Sequence, residues 1–206
     1  MHLVGARGQI VRDFIYDASG TVTTGGAAQL VLPEHNWRTS LFIQNISTGN
    51  LFVEFGGARA TVALSGNTLG AFTITNAGFG YTVPPQVRFY GGGDLTKNPN
   101  ALIPGLPGNQ GPSNPGSAHA VLAGGVVSSI VLDSPGKNYI KAPYVFLRSS
   151  ENDPYGAATP SATNGALLAA NGGSLYFNGT ALTTDALAIY GAMTGQAYTV
   201  KYTIGG

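Results

Sequence analysis

The end of the chain alternates strictly. Tyr198, Val200, Tyr202 and Ile204 fall on one side of residues 197–204 and Ala197, Thr199, Lys201 and Thr203 on the other, the pattern of a strand with one buried face. Nearer the start, residues 29–32, 40–46 and 51–55 also read as strands, with Ser47-Thr48-Gly49-Asn50 as a tight hairpin link and residues 60–64 as a fourth strand. Leu41 and Ile43 alternate against Phe42 and Gln44, so one face is apolar and the other partly so, as expected of a strand between a core and a second covering surface. Residues 1–27 sustain no helical period, although Ile10, Phe14 and Ile15 offer apolar packing groups.

The middle of the chain carries an internal repeat. AFTITNAGFGYTVPPQVRFY, residues 71–90, returns as SSIVLDSPGKNYIKAPYVFL, residues 128–147. A shift of 58 positions places Gly78 on Gly136, Tyr81 on Tyr139, Pro85 on Pro143 and Phe89 on Leu147. Each copy reads as strand, glycine turn, aromatic anchor, proline and second strand. Two copies are too few for a solenoid, so the repeat predicts a small pseudo-symmetric β module in which each copy covers the apolar face of the other. Residues 118–123, Gly124-Gly125 and 126–132 form a hairpin that supplies an additional strand in front of the second copy. Between the copies, residues 91–118 hold five prolines and no regular period, the composition of a functional loop or an extended arm.

About four strands precede this module and three or four follow it, too few on either side for a comfortable domain and together enough for one. The sequence therefore predicts an all-β protein, with a sandwich or small barrel built from the two chain ends and a pseudo-repeated β module inserted at a loop. The expected boundaries are an N-terminal arm or edge strand at 1–27, a discontinuous domain at 28–69 and 156–206, and an insert at 70–155.

Composition narrows the function. Charged residues make up 9% of the chain, ten Lys and Arg against nine Asp and Glu, well under the usual quarter or so. That balance lacks the concentrated positive field of a nucleic-acid-binding surface, and weak protection from association favours a subunit of an assembly. With 31 glycines and 12 prolines the chain is rich in turns. It has no cysteine, which excludes thiol chemistry and disulfides. No segment reads as a signal peptide or membrane span, and synthesis in a cytoplasm is the expectation.

Catalytic constellations are scarce. His2, His35 and His119 are the only histidines, and they show no metal-ligand spacing with carboxylates and no triad arrangement. Glu151, Asn152 and Asp153 offer oxygens to a calcium ion, yet the same residues suit an Asp-Pro turn. The expectation is a protein with no enzymatic activity, metal or cofactor. Gly78, Gly80, Tyr81, Pro85, Gly136, Tyr139 and Pro143 are read as structural repeat residues. Trp37 and, in the long loop, Leu102, Ile103 and Leu106 are candidate partner-binding residues. Aromatic residues interleaved with Asn, Thr and Gly also suit a glycan-binding surface.

Two segments carry a resemblance. RTSLFIQNISTGNLFVEFGG and, after the insert, GGSLYFNGTALTTDALAIYGAMTGQAYTVKYTIGG resemble small β-rich structural proteins of tailed bacteriophage virions. In those proteins an Ile-Gln-Asn turn precedes a short hairpin and the chain ends in a Gly-Ala-x-Thr-Gly-Gln strand. GFGYTVPPQVRF and GKNYIKAPYVFL resemble a glycine-tyrosine repeat of phage and bacterial surface proteins, with Asn138 replacing the second glycine in the second copy. The resemblance implies a noncatalytic virion protein, located on the capsid surface as a decoration or cement subunit. Its implied partners are the major capsid protein and its own copies, as a trimer. A receptor- or glycan-binding module of a fibre and a neck or tail connector are the alternatives.

Overall fold

The computed structural model describes residues 3–4, 10–11, 14–93, 114–149, 153, 155–178 and 185–205. Its strands in chain order are β1 (Leu3–Val4), β2 (Ile10–Val11), β3 (Phe14–Asp17), β4 (Gly20–Thr21), β5 (Ala28–Leu32), β6 (Arg38–Asn45), β7 (Leu51–Phe55), β8 (Arg59–Ser65) and β9 (Thr68–Asn76). There follow β10 (Gln86–Tyr90), β11 (Ser117–Ala123), β12 (Val126–Ser134), β13 (Tyr144–Arg148), β14 (Ala166–Leu168), β15 (Ser174–Asn178), β16 (Leu187–Gly191) and β17 (Ala197–Ile204). They form several small antiparallel sheets in two compact units, one of residues 1–56 with 159–206 and one of residues 57–158. Among the described residues no sheet closes into a barrel.

In the first unit the chain ends pair. β17 lies beside β6, Val200 opposite Ile43 and Tyr202 opposite Leu41, and its other edge is covered by β3 and then β4. The resulting five-stranded sheet has the order β15-β6-β17-β3, and a four-stranded sheet has the order β14-β7-β16-β5. Leu41, Ile43, Tyr198 and Val200 of the first join Leu32, Leu51, Val53, Leu168, Leu187 and Ile189 of the second in one buried cluster. The alternation at 197–204 is thus a core-facing register, with Thr199, Lys201 and Thr203 on the outer face.

Polar side chains close the loops of this unit. Asn45, fully buried, donates from Nδ2 to the carbonyls of Gly49 (2.8 Å) and Leu168 (2.9 Å), while its Oδ1 accepts from the Ser47 amide and hydroxyl. Gln196 donates to the Asn50 carbonyl and accepts from the Met193 amide. Arg38, also buried, donates to the carbonyls of Asp185 and Pro33 and lies over the Tyr202 ring. The Ile-Gln-Asn and Thr-Gly-Gln motifs therefore have a structural cause: each supplies a side-chain amide with both a donor and an acceptor to loop backbone that the sheets leave unpaired.

The second unit holds the repeat, which is longer than the sequence reading makes it. β8, β9 and β10 recur as β11, β12 and β13 at the same offset of 58 residues, with identical strand lengths. Residues 59–65, expected in the discontinuous domain, lie in this unit because β8 pairs with β9 and β13. The hairpin strand in front of the second copy is likewise matched in the first. β10 and β13 pair so that Arg88 faces Phe146, its own repeat equivalent, which places a local pseudo-twofold axis between them. The apolar faces mix the copies: Ala58, Ala60 and Tyr81 pack with Ala120, Val127 and Leu147, and Val62 and Leu69 pack with Tyr139.

Two outcomes follow from this organisation. Ile189→Ala, at a fully buried site in the middle of β16, will lower stability by about 2–5 kcal/mol in urea unfolding. Replacing residues 57–158 by a short glycine linker will leave a cooperatively unfolding first unit, because its core cluster draws on no residue of the second. A broad, noncooperative thermal transition would contradict this.

Candidate interaction surfaces and the repeat residues

The repeat residues are placed as a pair of matched turns. Gly78 and Gly136 have φ of 65° and 62° and are buried. A Cβ at Gly78 would lie 2.7 Å from the Ala157 carbonyl oxygen, and one at Gly136 would strike the Gly116 amide nitrogen, so both positions exclude a side chain for steric as well as dihedral reasons. Gly80 has φ of 79° and its counterpart Asn138 has φ of 66°. Asn tolerates this left-handed region better than other residues with a side chain, and so the second turn keeps the conformation of the first without the second glycine.

Tyr81 and Tyr139 are buried at 4% and 2% exposure. The Tyr81 hydroxyl accepts from the Ala58 amide (2.6 Å) and the Tyr139 hydroxyl from the Gly116 amide (2.9 Å), and Ala58 and Gly116 are themselves 58 residues apart. Burial pushes the Tyr139 hydroxyl above its ordinary pKa, opposed by its hydrogen bond with Gly116, so it stays neutral at physiological pH. Pro85 and Pro143 are buried immediately before β10 and β13, where a missing N–H leaves no gap in a ladder. These tyrosines offer no ring to a ligand.

The copies differ in how they hold the segment after the tyrosine. In the second copy the amides of Ile140 and Lys141 donate to the Gly92 carbonyl at 2.9 and 3.5 Å. In the first, the equivalent amides of Thr82 and Val83 donate to Asp153 Oδ2 at 2.6 and 2.8 Å. A carboxylate thus stands in for a carbonyl. Burial alone would raise the Asp153 pKa; the amides of Val83 and Thr82, the Thr82 hydroxyl and the Tyr155 backbone outweigh it and hold the carboxyl below its ordinary range. Asp153, weighed from the sequence as a calcium ligand, acts here as a turn clamp; Glu151 and Asn152 lie outside the described residues.

Trp37 sits in the loop before β6. Its carbonyl accepts from the Gly205 amide and its ring is 68% exposed, so it fills no sheet edge and is available to a partner. Leu102, Ile103 and Leu106 lie outside the described residues. His35 Nδ1 accepts from the Trp37 amide, and His119 pairs with Asp133 at 2.7 Å on the β11–β12 hairpin. Among the described residues no three His, Cys, Asp or Glu side chains are grouped to hold a metal ion. A cleft of about 530 Å³ runs between residues 84–88 and 118–120. It marks a break in the pseudo-symmetry: β8 pairs with β13, whereas the equivalent β11 and β10 form no ladder.

The outer face of the five-stranded sheet is not among the sites that the sequence predicts. Asp17, Lys201, Phe42 and Tyr176 form one cross-strand row, and Ile15, Thr203, Ser40 and Asn178 form the next. Ile15 is 77% and Tyr176 62% exposed. Lys201 donates to Asp17 and holds that carboxyl well below the usual carboxylate range, with help from Ser19. The face therefore combines apolar rings, hydroxyls and amides with one internally neutralised ion pair. The signal was present in SLYFN, whose outward positions are Ser174, Tyr176 and Asn178.

Three outcomes test the turn assignments by thermal or urea denaturation. Tyr81→Phe and Tyr139→Phe will each cost about 1–3 kcal/mol, because a buried amide loses its acceptor. Asn138→Gly will be neutral or stabilising, whereas Gly136→Ala will be clearly destabilising. The Asp153 carboxyl has a folded pKa below its unfolded value of about 3.9, so its stabilisation is present above that value and is lost as pH falls through the folded pKa. In Asp153→Asn this part of the acid sensitivity will disappear, with lower stability at neutral pH.

No family model, curated protein or solved structure matches the chain.

Proposed function

We propose that the chain is a noncatalytic structural protein of a tailed-phage virion, seated on the outside of the capsid as a decoration subunit that cements neighbouring shell proteins. The observation that carries this reading is the outer face of the five-stranded sheet, with Ile15, Phe42 and Tyr176 among uncharged polar groups. Such a face costs less to desolvate than one bearing several unpaired charges, because its one ion pair is already paired internally, and its exposed rings supply contact area. Contacts repeated by shell symmetry, or by a trimer of this chain, multiply modest binding per subunit.

Strand order supports the same reading. With β3 and β4 taken as one broken strand and the short β1–β2 pair set aside, the eight strands of the first unit's two larger sheets are ordered 6-3-8-1 and 5-4-7-2, a two-sheet sandwich of jelly-roll type, an architecture found in viral capsid proteins and lectins. The second unit is then an insertion between the fourth and fifth strands. Fold analogy supports the class of protein, and the position on the shell rests on the outer face.

Electron cryomicroscopy of intact particles tests the assignment by position and copy number. Density for this chain on the shell at symmetry-related sites, with the outer face against capsid protein, is the expected result, and Tyr176→Asp will reduce shell occupancy without loss of fold. Six or twelve copies in a ring would establish a connector, and density confined to the tail tip a fibre module. Absence from all particles would remove the virion assignment.

A further inference from the structure

The four-stranded sheet of the second unit, ordered β10-β13-β8-β9, has an inner face that Val87, Phe89, Val145 and Leu147 commit to the core. Its other face is solvent-exposed and has a different composition. The cross-strand pairs are Gln86 with Arg148, Arg88 with Phe146 and Tyr90 with Tyr144, and Arg59 of β8 continues the row of Phe146. Tyr144 is 76%, Phe146 53% and Tyr90 37% exposed. Tyr90 and Phe146 meet edge to face at 5.6 Å and 71°, so the rings present faces in more than one direction. Ala63, Thr61, Thr73 and Thr75 extend the surface with small groups.

Three guanidinium groups are thus interleaved with three aromatic rings. Among the described residues no carboxylate stands on this face. Arg88 donates to the neutral Gln86 side chain at 2.9 Å, a bond that positions its guanidinium without neutralising it. Arg88 and Arg148 occupy diagonal cross-strand positions, about 7–8 Å apart at the backbone, where like charges repel. The charge pair itself adds nothing favourable to folding. An anionic ligand would relieve the repulsion and bridge the two groups.

We propose that this face binds a carboxylate-bearing oligosaccharide. The guanidinium of Arg148 or Arg88 matches a sugar carboxylate in the planar, bidentate manner that favours Arg over Lys, and an exposed ring beside it packs against the C–H face of a pyranose. Nucleic acid fits less well. A strand brings a phosphate charge roughly every 3.4 Å and draws its affinity from a continuous cationic track, whereas residues 57–158 carry six Lys and Arg against four Asp and Glu. The inference is independent of the capsid assignment, since it concerns a different face on a different unit.

The test is calorimetric titration of the full chain with a hexamer of galacturonic acid and with a sialylated trisaccharide. Maltohexaose serves as the neutral control and a twelve-residue oligothymidylate as the nucleic-acid probe. Binding of at least one acidic oligosaccharide, absent for maltohexaose and weakened about tenfold or more in Arg88→Gln/Arg148→Gln and in Phe146→Ser, is the expected result. These side chains are exposed, and an unchanged unfolding midpoint in each variant will show that the loss is not one of folding. Tighter binding of the oligothymidylate than of either acidic sugar would overturn the proposal in favour of nucleic acid. No binding of either acidic sugar, or binding indifferent to the substitutions, would overturn it outright.

Discussion

The ladder between β6 and β17 is the constraint on which the first unit depends. It joins residues 38–45 to residues 197–204 across nearly the whole chain, and strands on both sides take their places from it: β15 on the free edge of β6, β3 and β4 on the free edge of β17. A pairing of such sequence separation carries a large loop-closure cost, but that cost grows only slowly with loop length. The chain can therefore carry the second unit between β7 and β14 with little additional penalty, provided the inserted residues fold by their own contacts. They do, since the two buried clusters of the second unit draw entirely on residues 57–158.

The second unit solves its packing problem by duplication. One three-strand copy exposes an apolar face that it cannot cover, and the other copy covers it. Equivalent backbone bonds tie the copies together: Val127 to the Ala77 carbonyl and Leu69 to the Pro135 carbonyl, Tyr81 to Gly125 and Tyr139 to Asn67. Duplicated segments diverge where their surroundings differ. The β10–β11 seam is open while β8–β13 is paired, and the Asp153 carboxylate does for the first turn what the Gly92 carbonyl does for the second. Such differences are where a duplicated module is free to acquire separate roles.

The two units present contrasting surfaces. The outer face of the five-stranded sheet is nearly free of net charge, with the Lys201–Asp17 pair closed on itself, and suits a protein surface offering similar neutral contacts. The outer face of the β10–β13 pair sets guanidinium groups beside rings, with no carboxylate at its own ladder positions, and suits a small anion with an apolar flank. Neither depends on the buried repeat tyrosines, whose hydroxyls are committed to backbone amides. A chain with few charges overall can still hold a local field, because cross-strand register concentrates three of its arginines on one patch.

Period-two alternation at residues 197–204, the turn residues around Gly49 and the spacing of Gly78, Tyr81 and Pro85 from Gly136, Tyr139 and Pro143 were legible because each expresses a local rule: strand pleat, turn dihedral or strand entry. The first strand of each repeat copy was not legible as such. RATVALS and SAHAVLA share few residues, and only their positions, set by the amides of Ala58 and Gly116 on equivalent tyrosines, make them equivalent. The allocation of residues 59–65 to the second unit likewise turns on which strand they pair with, and no local pattern distinguishes one sheet from another. The candidate surfaces could not be assembled from single strands for the same reason, although SLYFN alone shows its outward Tyr176. Arg59, Arg88, Arg148, Tyr144 and Phe146 come from three strands, and Ile15, Phe42 and Tyr176 from three others. The sequence by itself determined that each would point to one side of its strand; only long-range pairing decided which of them would stand together, because register between distant strands is settled by the burial of their opposite faces.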